Sequence, residues 1–377
     1  MTTLPGLYIH IPFCVKKCAY CGFYSVTDLK LIPDFLAALR REMSLYKNVS
    51  RDFDTVYIGG GTPSVLAAAD LERLIGDIRN TFTITSDAEI TLEANPGDII
   101  FGLLTTLRSA GVNRLNIGCQ SFDDNTLAFL GRRHEARQAL EAIRMARYAG
   151  YDNLGIDLIY GLPSLPGDAF KIWLDTLRTT LSFHPEHLSC YQLTVEADTP
   201  LADLYGKTEI ALPDHDLQAR YFFRTAEILE EAGYRHYEVS NFALGDRFHS
   251  RHNSKYWNHT PYLGLGPGAH SFDGRQRRWN HRSVAAYLKD LAAGKPPVAD
   301  SEFLSDEQLR LEALFLGFRT RRGIHLEDFN KCYNQDLLAE KGEILRKLMK
   351  DNLVEIRDGF LMPTRAGMAV ADSLALI

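Results

Sequence analysis

The chain has little cysteine, little net charge and no long apolar run. Six cysteines in 377 residues are too few for a disulfide scaffold. No apolar stretch is long enough to span a bilayer, and the opening MTTLPG has neither the basic region nor the apolar core of a signal peptide. A net charge of -6 with no basic stripe gives no electrostatic footprint for nucleic acid. Internal repeats and low-complexity tracts are also missing. These absences point to a reduced, cytoplasmic, globular protein. Its 45% hydrophobic share is ordinary for a chain with a sizeable core, and its length suits one large barrel with a small appendage, or two domains.

Three of the six cysteines are concentrated. Leu7 to Ser25 reads LYIHIPFCVKKCAYCGFYS, with Cys14, Cys18 and Cys21 at C-x3-C-x2-C spacing after the apolar run Leu7–Ile11. That run suits a buried strand, which Pro12 would end, leaving the thiols on a loop at its C-terminal end. Three thiolates this close can hold one soft metal centre. The centre could be an iron–sulfur cluster with one iron lacking a protein ligand, or zinc with His10 as fourth ligand. Free thiols are a third reading. The scattered Cys119, Cys190 and Cys332 read as buried thiols.

Short apolar runs alternate with helical patterns along the chain. Strands are expected at Leu7–Ile11, Thr55–Ile58, Glu89–Glu93, Arg114–Ile117, Leu154–Ile159, His187–Leu193 and Tyr234–Val239. Helices are expected around Asp34–Tyr46, Asp70–Arg79, Ile99–Ser109, Ala136–Tyr148, Asp168–Leu181 and Asp214–Ala232. This order argues for an α/β fold with a parallel sheet, closed fully or partly into a barrel by right-handed crossovers. From Lys295-Pro296-Pro297 the pattern becomes helical with one β-like stretch, Val354–Leu361. The expected domains are therefore 1–294 and 295–377.

Each candidate strand finishes in a polar or glycine-rich element, and in barrels chemistry collects at those ends. The second ends at Gly59-Gly60-Gly61-Thr62-Pro63, which allows close backbone approach but equally suits a tight turn before a helix. The third ends at Glu93-Ala94-Asn95-Pro96, the fourth at Gly118-Cys119-Gln120-Ser121, and the fifth carries Asp157. These positions converge on one mouth if the barrel forms.

IHIPFCVKKCAYCGF resembles the signature of the radical S-adenosylmethionine (SAM) superfamily, and within it the coproporphyrinogen-dehydrogenase-like branch. The resemblance implies a partial (β/α) barrel of the radical SAM type, with a small, mainly helical C-terminal domain. It implies a [4Fe-4S] cluster on Cys14, Cys18 and Cys21, whose open iron takes the amino and carboxylate groups of SAM. Reductive cleavage of SAM would yield methionine and a 5'-deoxyadenosyl radical. By the same resemblance Tyr20 packs on the adenine and Gly60, Gly61 and Thr62 run beside the SAM amino group. Tyr8, Glu93, Gln120, Arg132 and Asp157 would line the pocket; Arg133, beside Arg132, makes that assignment ambiguous.

Two departures distinguish this chain from the dehydrogenases of the branch. Phe23 stands where they continue with another cysteine, and the long segment they carry before the cysteines is not seen. A second motif, H-N-x-x-Y-W at His252-Asn253-Ser254-Lys255-Tyr256-Trp257, is similar to that of the branch's heme chaperones. The resemblance assigns His252 to haem iron, with Tyr256 and Trp257 against the porphyrin; His249, His259 and His270 are nearby alternatives. Physically, the motif could equally be an ordered loop. The function implied is delivery of haem to an acceptor apoprotein, with a reductant such as a flavodoxin. No nucleic-acid partner is expected, and any membrane contact would be peripheral, through the acceptor. The alternatives are a radical enzyme acting on a porphyrin (a coproporphyrinogen III dehydrogenase or haem-modifying methyltransferase) and, less suited to the acidic balance, a tRNA-modifying enzyme.

Overall fold

The structure is a computed structural model that describes residues 4–48, 52–163 and 167–376. Strands β1 (Gly6–Ile11), β2 (Phe53–Gly60), β3 (Ile84–Ala94), β4 (Arg114–Gln120), β5 (Leu154–Tyr160) and β6 (His187–Gln192) lie side by side in chain order, all parallel. Between them run α1 (Ile32–Leu45), α2 (Ala68–Thr81), α3 (Phe101–Ser109), α4 (Asp124–Phe129), α5 (Ala136–Tyr148) and α6 (Ala169–Leu181).

The alternation within β1 shows how the sheet sorts its two faces. Leu7, Ile9 and Ile11 are fully buried in the main core with Phe35 and Leu39 of α1, whereas Tyr8 and His10 occupy the opposite face. Burial of each such aliphatic side chain contributes roughly 1.5–3 kcal/mol. Helix starts follow local chemistry. Pro33 lies in the first turn of α1, Glu135 and Gln138 form a capping box on α5, and Asp168 caps α6 by accepting from Phe170 N and Lys171 N.

After β6 come α7 (Pro200–Gly206), α8 (His215–Glu231), the short strands β7 (Arg235–His236) and β8 (Asn241–Ala243), and α9 (Arg251–Trp257). Only two residues of the strand expected over Tyr234–Val239 pair as one. The chain then returns as β9 (Tyr262–Leu265), parallel to β1, and continues as β10 (His270–Phe272), β11 (Gln276–Asn280), α10 (Val284–Ala292) and β12 (Val298–Phe303), its strands antiparallel. The twelve-stranded order runs from β12 through β9 and β1–β6 to β8 and β7. The two end strands do not pair, so the barrel is partial.

The extension β9–β12 has no counterpart among the expected strands. Its strands are short, and β9 passes directly into the glycine-rich GLGPGAH. The linker expected at Lys295–Pro297 leads into β12, whose register with β11 places 298–303 in the large sheet. Beyond it α11 (Asp306–Gly317), β13 (Ile324–His325), α12 (Leu326–Tyr333), α13 (Leu337–Lys350), β14 (Val354–Arg357), β15 (Phe360–Pro363), α14 (Arg365–Ala369) and α15 (Ala371–Leu374) surround a separate core that includes Phe318, Phe329, Leu345 and Leu361. The β-like stretch Val354–Leu361 is a hairpin of two strands, with β13 on its other side.

Candidate functional site

The cysteine loop hangs from the end of β1. Val26 N donates to Pro12 O at 2.7 Å and Cys14 N to Val26 O at 3.0 Å, which closes the base of the loop. Cys21 N donates to Cys18 O at 3.3 Å, turning the chain between the second and third cysteines. All three thiols are half-buried. Burial pushes the Cys21 thiol up, and Cys18 and Cys14 add to the shift, so the three sulfurs share one local field. Cys14 Sγ lies 3.3 Å from the Thr62 hydroxyl, and Cys18 Sγ accepts from Arg132 Nη1 at 3.3 Å.

His10 does not join the thiols. Its Nε2 donates to Tyr24 O at 2.9 Å, so Nδ1 accepts from the Tyr8 hydroxyl at 3.0 Å. His10 is therefore not placed as a fourth ligand for zinc, and among the described residues no three or more His, Cys, Asp or Glu side chains, the three thiols included, are drawn together as they would be around a metal ion. Cys119 and Cys190 are buried, as expected for inert thiols. Cys332, expected to be buried with them, is exposed on α12.

Beside this loop the lumen is polar. Glu93 accepts from Tyr57 Oη at 2.6 Å and Gly60 N at 3.1 Å; burial raises its pKa to about 7, and Asp157 adds to that shift. Asp157 accepts from Asn116 Nδ2 at 2.9 and 2.8 Å, and its own pKa is raised by burial. Arg132 Nη2 donates to Gly118 O at 2.7 Å. Arg133 turns away and pairs with Asp98. The neighbouring arginines are thus told apart by direction: Arg132 faces the cysteines.

Two polar atoms here are buried without a partner in the protein, Gln120 Oε1 and Arg132 Nε. Each costs on the order of 1–3 kcal/mol unless something binds it. Gln120 also holds φ at 68°, uncommon outside glycine, at an irregularity in the β4–β5 register. An acceptor and a charged donor next to a thiol suit a ligand carrying both an ammonium and a carboxylate, as the SAM amino-acid moiety does. Tyr20 is half-buried against the small apolar cluster of Leu130, Ile159 and Leu162, where an adenine could stack.

The glycines of GGGTP have a reason internal to the protein. A Cβ on Gly61 would lie 2.7 Å from Phe13 O and 2.8 Å from Ile11 O. Gly61 N donates to Ile11 O and Thr62 N to Phe13 O, each at 2.8 Å, so the end of β2 runs against the end of β1.

The H-N-x-x-Y-W segment forms α9, at the opposite end of the strands, beneath Gly6 and Thr55. His252 is 1% exposed. Its Nδ1 is 2.9 Å from Thr55 Oγ1, its Nε2 is 3.0 Å from Tyr256 Oη, and its ring packs 5.2 Å from that of Tyr57. His252, expected to ligate haem iron, therefore has neither nitrogen free in this arrangement. Tyr256, expected against a porphyrin, has its hydroxyl engaged by His252, and Trp257 is half-buried at the end of α9. Lys255 Nζ anchors the same helix to Leu4 O and Asp54 Oδ1, both at 2.6 Å.

Sequence reasoning passed over Glu42. It accepts from Gly266 N at 2.8 Å, Asn280 Nδ2 at 2.6 Å and Tyr287 Oη at 2.7 Å, and so holds the glycine-rich turn after β9. Burial raises its pKa to about 7. The available signal was a carboxylate within the apolar stripe Phe35, Leu39, Met43 of α1.

Comparisons with known proteins bear on the family and the fold. Residues 8–177 match the radical SAM superfamily and residues 304–370 the HemN C-terminal domain. A solved structure of coproporphyrinogen III oxidase (HemN) from Escherichia coli, a radical SAM enzyme, superposes with a TM-score of 0.84 at 24% identity, covering 99% of this chain and 89% of that one. The heme chaperone HemW of Bacillus subtilis is 33% identical over 376 residues, 98% of each chain. That of Escherichia coli is 38% identical over 276 residues, 72% of this chain and 71% of its own. Similarity at this level, sustained from end to end, means that the chain belongs to the HemW family of the radical SAM superfamily, whose cofactors are a [4Fe-4S] cluster and SAM.

Proposed function

We propose that this chain is a heme chaperone that binds a [4Fe-4S] cluster, SAM and haem, and passes haem to an acceptor apoprotein. The observation that carries the cofactor site is the contact of Cys14 with Thr62 and of Cys18 with Arg132 at the mouth of a polar lumen, with Cys21 on the same loop. Its haem cargo is proposed from the relatives that are named heme chaperones.

In this reading the three cysteines hold the cluster, and bound SAM supplies one-electron reductive cleavage of a sulfonium. Arg132 places a positive charge beside Cys18. Gln120 Oε1 and Arg132 Nε take the polar groups of SAM, and Tyr20 packs on its adenine. Gly60, Gly61 and Thr62 form the adjoining wall, held by Glu93, while Tyr8 and Asp157 close the pocket from the lumen side. Haem contact through His252, Tyr256 and Trp257 would first require rupture of the bonds to Thr55 and between His252 and Tyr256.

A cytoplasmic location, a flavodoxin-like reductant and an acceptor that brings any membrane contact belong to the same proposal. No helix among the described residues is long and apolar enough to cross a membrane. The test is anaerobic reconstitution followed by hemin titration with and without SAM, then transfer to an apo-haemoprotein. Cys14→Ala, Cys18→Ala and Cys21→Ala should each abolish the broad visible absorption of the cluster. Wild-type iron and sulfide in any of them, or turnover of coproporphyrinogen III by the native protein, would refute the reading.

A further inference from the structure

Strand β2 carries Thr55, Tyr57 and Gly59 on one face, because every second residue of a strand points the same way. That face reaches two places that the proposed function uses. Near its start the Thr55 hydroxyl lies 2.9 Å from His252 Nδ1. At its end Gly60 N donates to Glu93 Oε2 at 3.1 Å. Tyr57 lies between and touches both. Its hydroxyl donates to Glu93 Oε1 at 2.6 Å, and its ring packs against that of His252, 5.2 Å between centroids at an interplanar angle of 30°.

The strand leaves room for this pairing and for nothing larger. A Cβ on Gly59 would stand 2.7 Å from Tyr57 Cε1 and 2.8 Å from Glu93 Oε2. Tyr8, the register partner of Tyr57 on β1, lies 6.2 Å from its ring and 6.3 Å from that of His252. Tyr57 is buried in this cluster, so its ring is held in part by the His252 imidazole.

We propose that Tyr57 couples the two sites, so that SAM at the Glu93 wall holds His252 closed and opposes haem binding. This rests on the heme-chaperone reading above, with His252 of α9 as the iron ligand. In that reading His252 has two settings: closed, held by Thr55 and Tyr256, and open, on haem iron. The amino group of SAM, set beside Gly60, brings a positive charge to Glu93 and strengthens it as an acceptor for the Tyr57 hydroxyl. A firmly held Tyr57 keeps its ring on His252 and stabilises the closed setting. Haem draws His252 away, takes that packing from Tyr57 and loosens the Glu93 wall. Coupling of this kind is reciprocal, and each ligand weakens the other by the same factor. The arrival of SAM then acts as the signal that releases haem to the acceptor.

The experiment is a hemin titration of the reconstituted full chain, followed by the Soret band, with and without saturating SAM. The cluster is kept oxidised so that SAM binds without being cleaved. In native protein SAM should weaken hemin binding at least about fivefold, and the reverse titration of SAM into hemin-loaded protein should show the same factor. Tyr57→Phe keeps the ring on His252 and loses only the bond to Glu93. Its hemin affinity without SAM should stay within about twofold of native with cluster absorption unchanged, while the effect of SAM falls below about twofold. Equal hemin affinity with and without SAM in native protein overturns the coupling. An effect of SAM that survives at full size in Tyr57→Phe also overturns it, and means that the two ligands compete directly. Native protein that binds no hemin fails at the earlier step and refutes the heme-chaperone reading itself.

Discussion

The His10 imidazole fills the space that a side chain on Gly60 would need. An added Cβ would stand 2.5 Å from both Cε1 and Nδ1 of His10, on a residue whose φ is +105°. The glycine is therefore demanded by the fold before any ligand arrives.

Gly60→Ala should destabilise the protein without cofactors by at least about 2 kcal/mol, from steric overlap and backbone strain together. Urea unfolding of the apo-protein measures this. Adding His10→Ala should recover the steric part and leave the strain. A Gly60→Ala midpoint equal to the native one would show that the imidazole moves aside freely, and glycine would then be required by the ligand alone.

Arg132 and Arg133 should separate cleanly. Arg132 contacts Cys18 and Gly118, whereas Arg133 is paired with Asp98. Arg132→Ala is expected to lower SAM affinity by about tenfold or more, the loss of one charge-assisted contact. Arg133→Ala should alter the unfolding midpoint but leave SAM affinity within about twofold. Calorimetric titration with SAM on both variants decides, and the reverse pattern would reassign the ligand contact to Arg133.

His252→Ala should cost about 2–4 kcal/mol of stability at pH 7, through a cavity and two stranded hydrogen-bond partners. Burial lowers the pKa of His252 from 6.5 to about 3. The stabilisation that depends on its neutral form is complete above pH 6.5 and fades as the pH falls towards 3, because only the unfolded chain takes the proton. The stability gap between native and His252→Ala should narrow over that window. A gap that is constant from pH 7 to pH 4 would place the imidazole in contact with solvent.

Glu42→Gln should show the opposite sign. The folded carboxyl titrates at about 7 against 4.5 when unfolded. Its contribution is complete below pH 4.5 and is lost as pH rises through 7, since only the folded protein retains the proton. Relative to native, Glu42→Gln should therefore gain about 3 kcal/mol between pH 4.5 and 7, whatever its fixed cost from facing three donors. Parallel unfolding curves at both pH values would falsify the protonated form of Glu42.

The residues alone determined what depends on neighbours along the chain. The C-x3-C-x2-C loop, the strand that ends at Pro12, the glycine turn after β2 and the strand–helix alternation up to β6 are all set by local spacing and backbone freedom. Tertiary structure decided which way side chains point and what fills the space opposite them. It directed Arg132 to Cys18 and Arg133 to Asp98, and turned His10 towards Tyr24 instead of a metal. It also buried His252 at the far end of the lumen, between Thr55 and Tyr256. The return of β9 to β1 was out of reach of any local pattern, because a four-residue strand has too little periodicity to reveal its partner. Glu42 illustrates the same limit. A carboxylate on an apolar stripe looks misplaced until the fold brings Gly266, Asn280 and Tyr287 to meet it, and only that long-range convergence makes its burial tolerable.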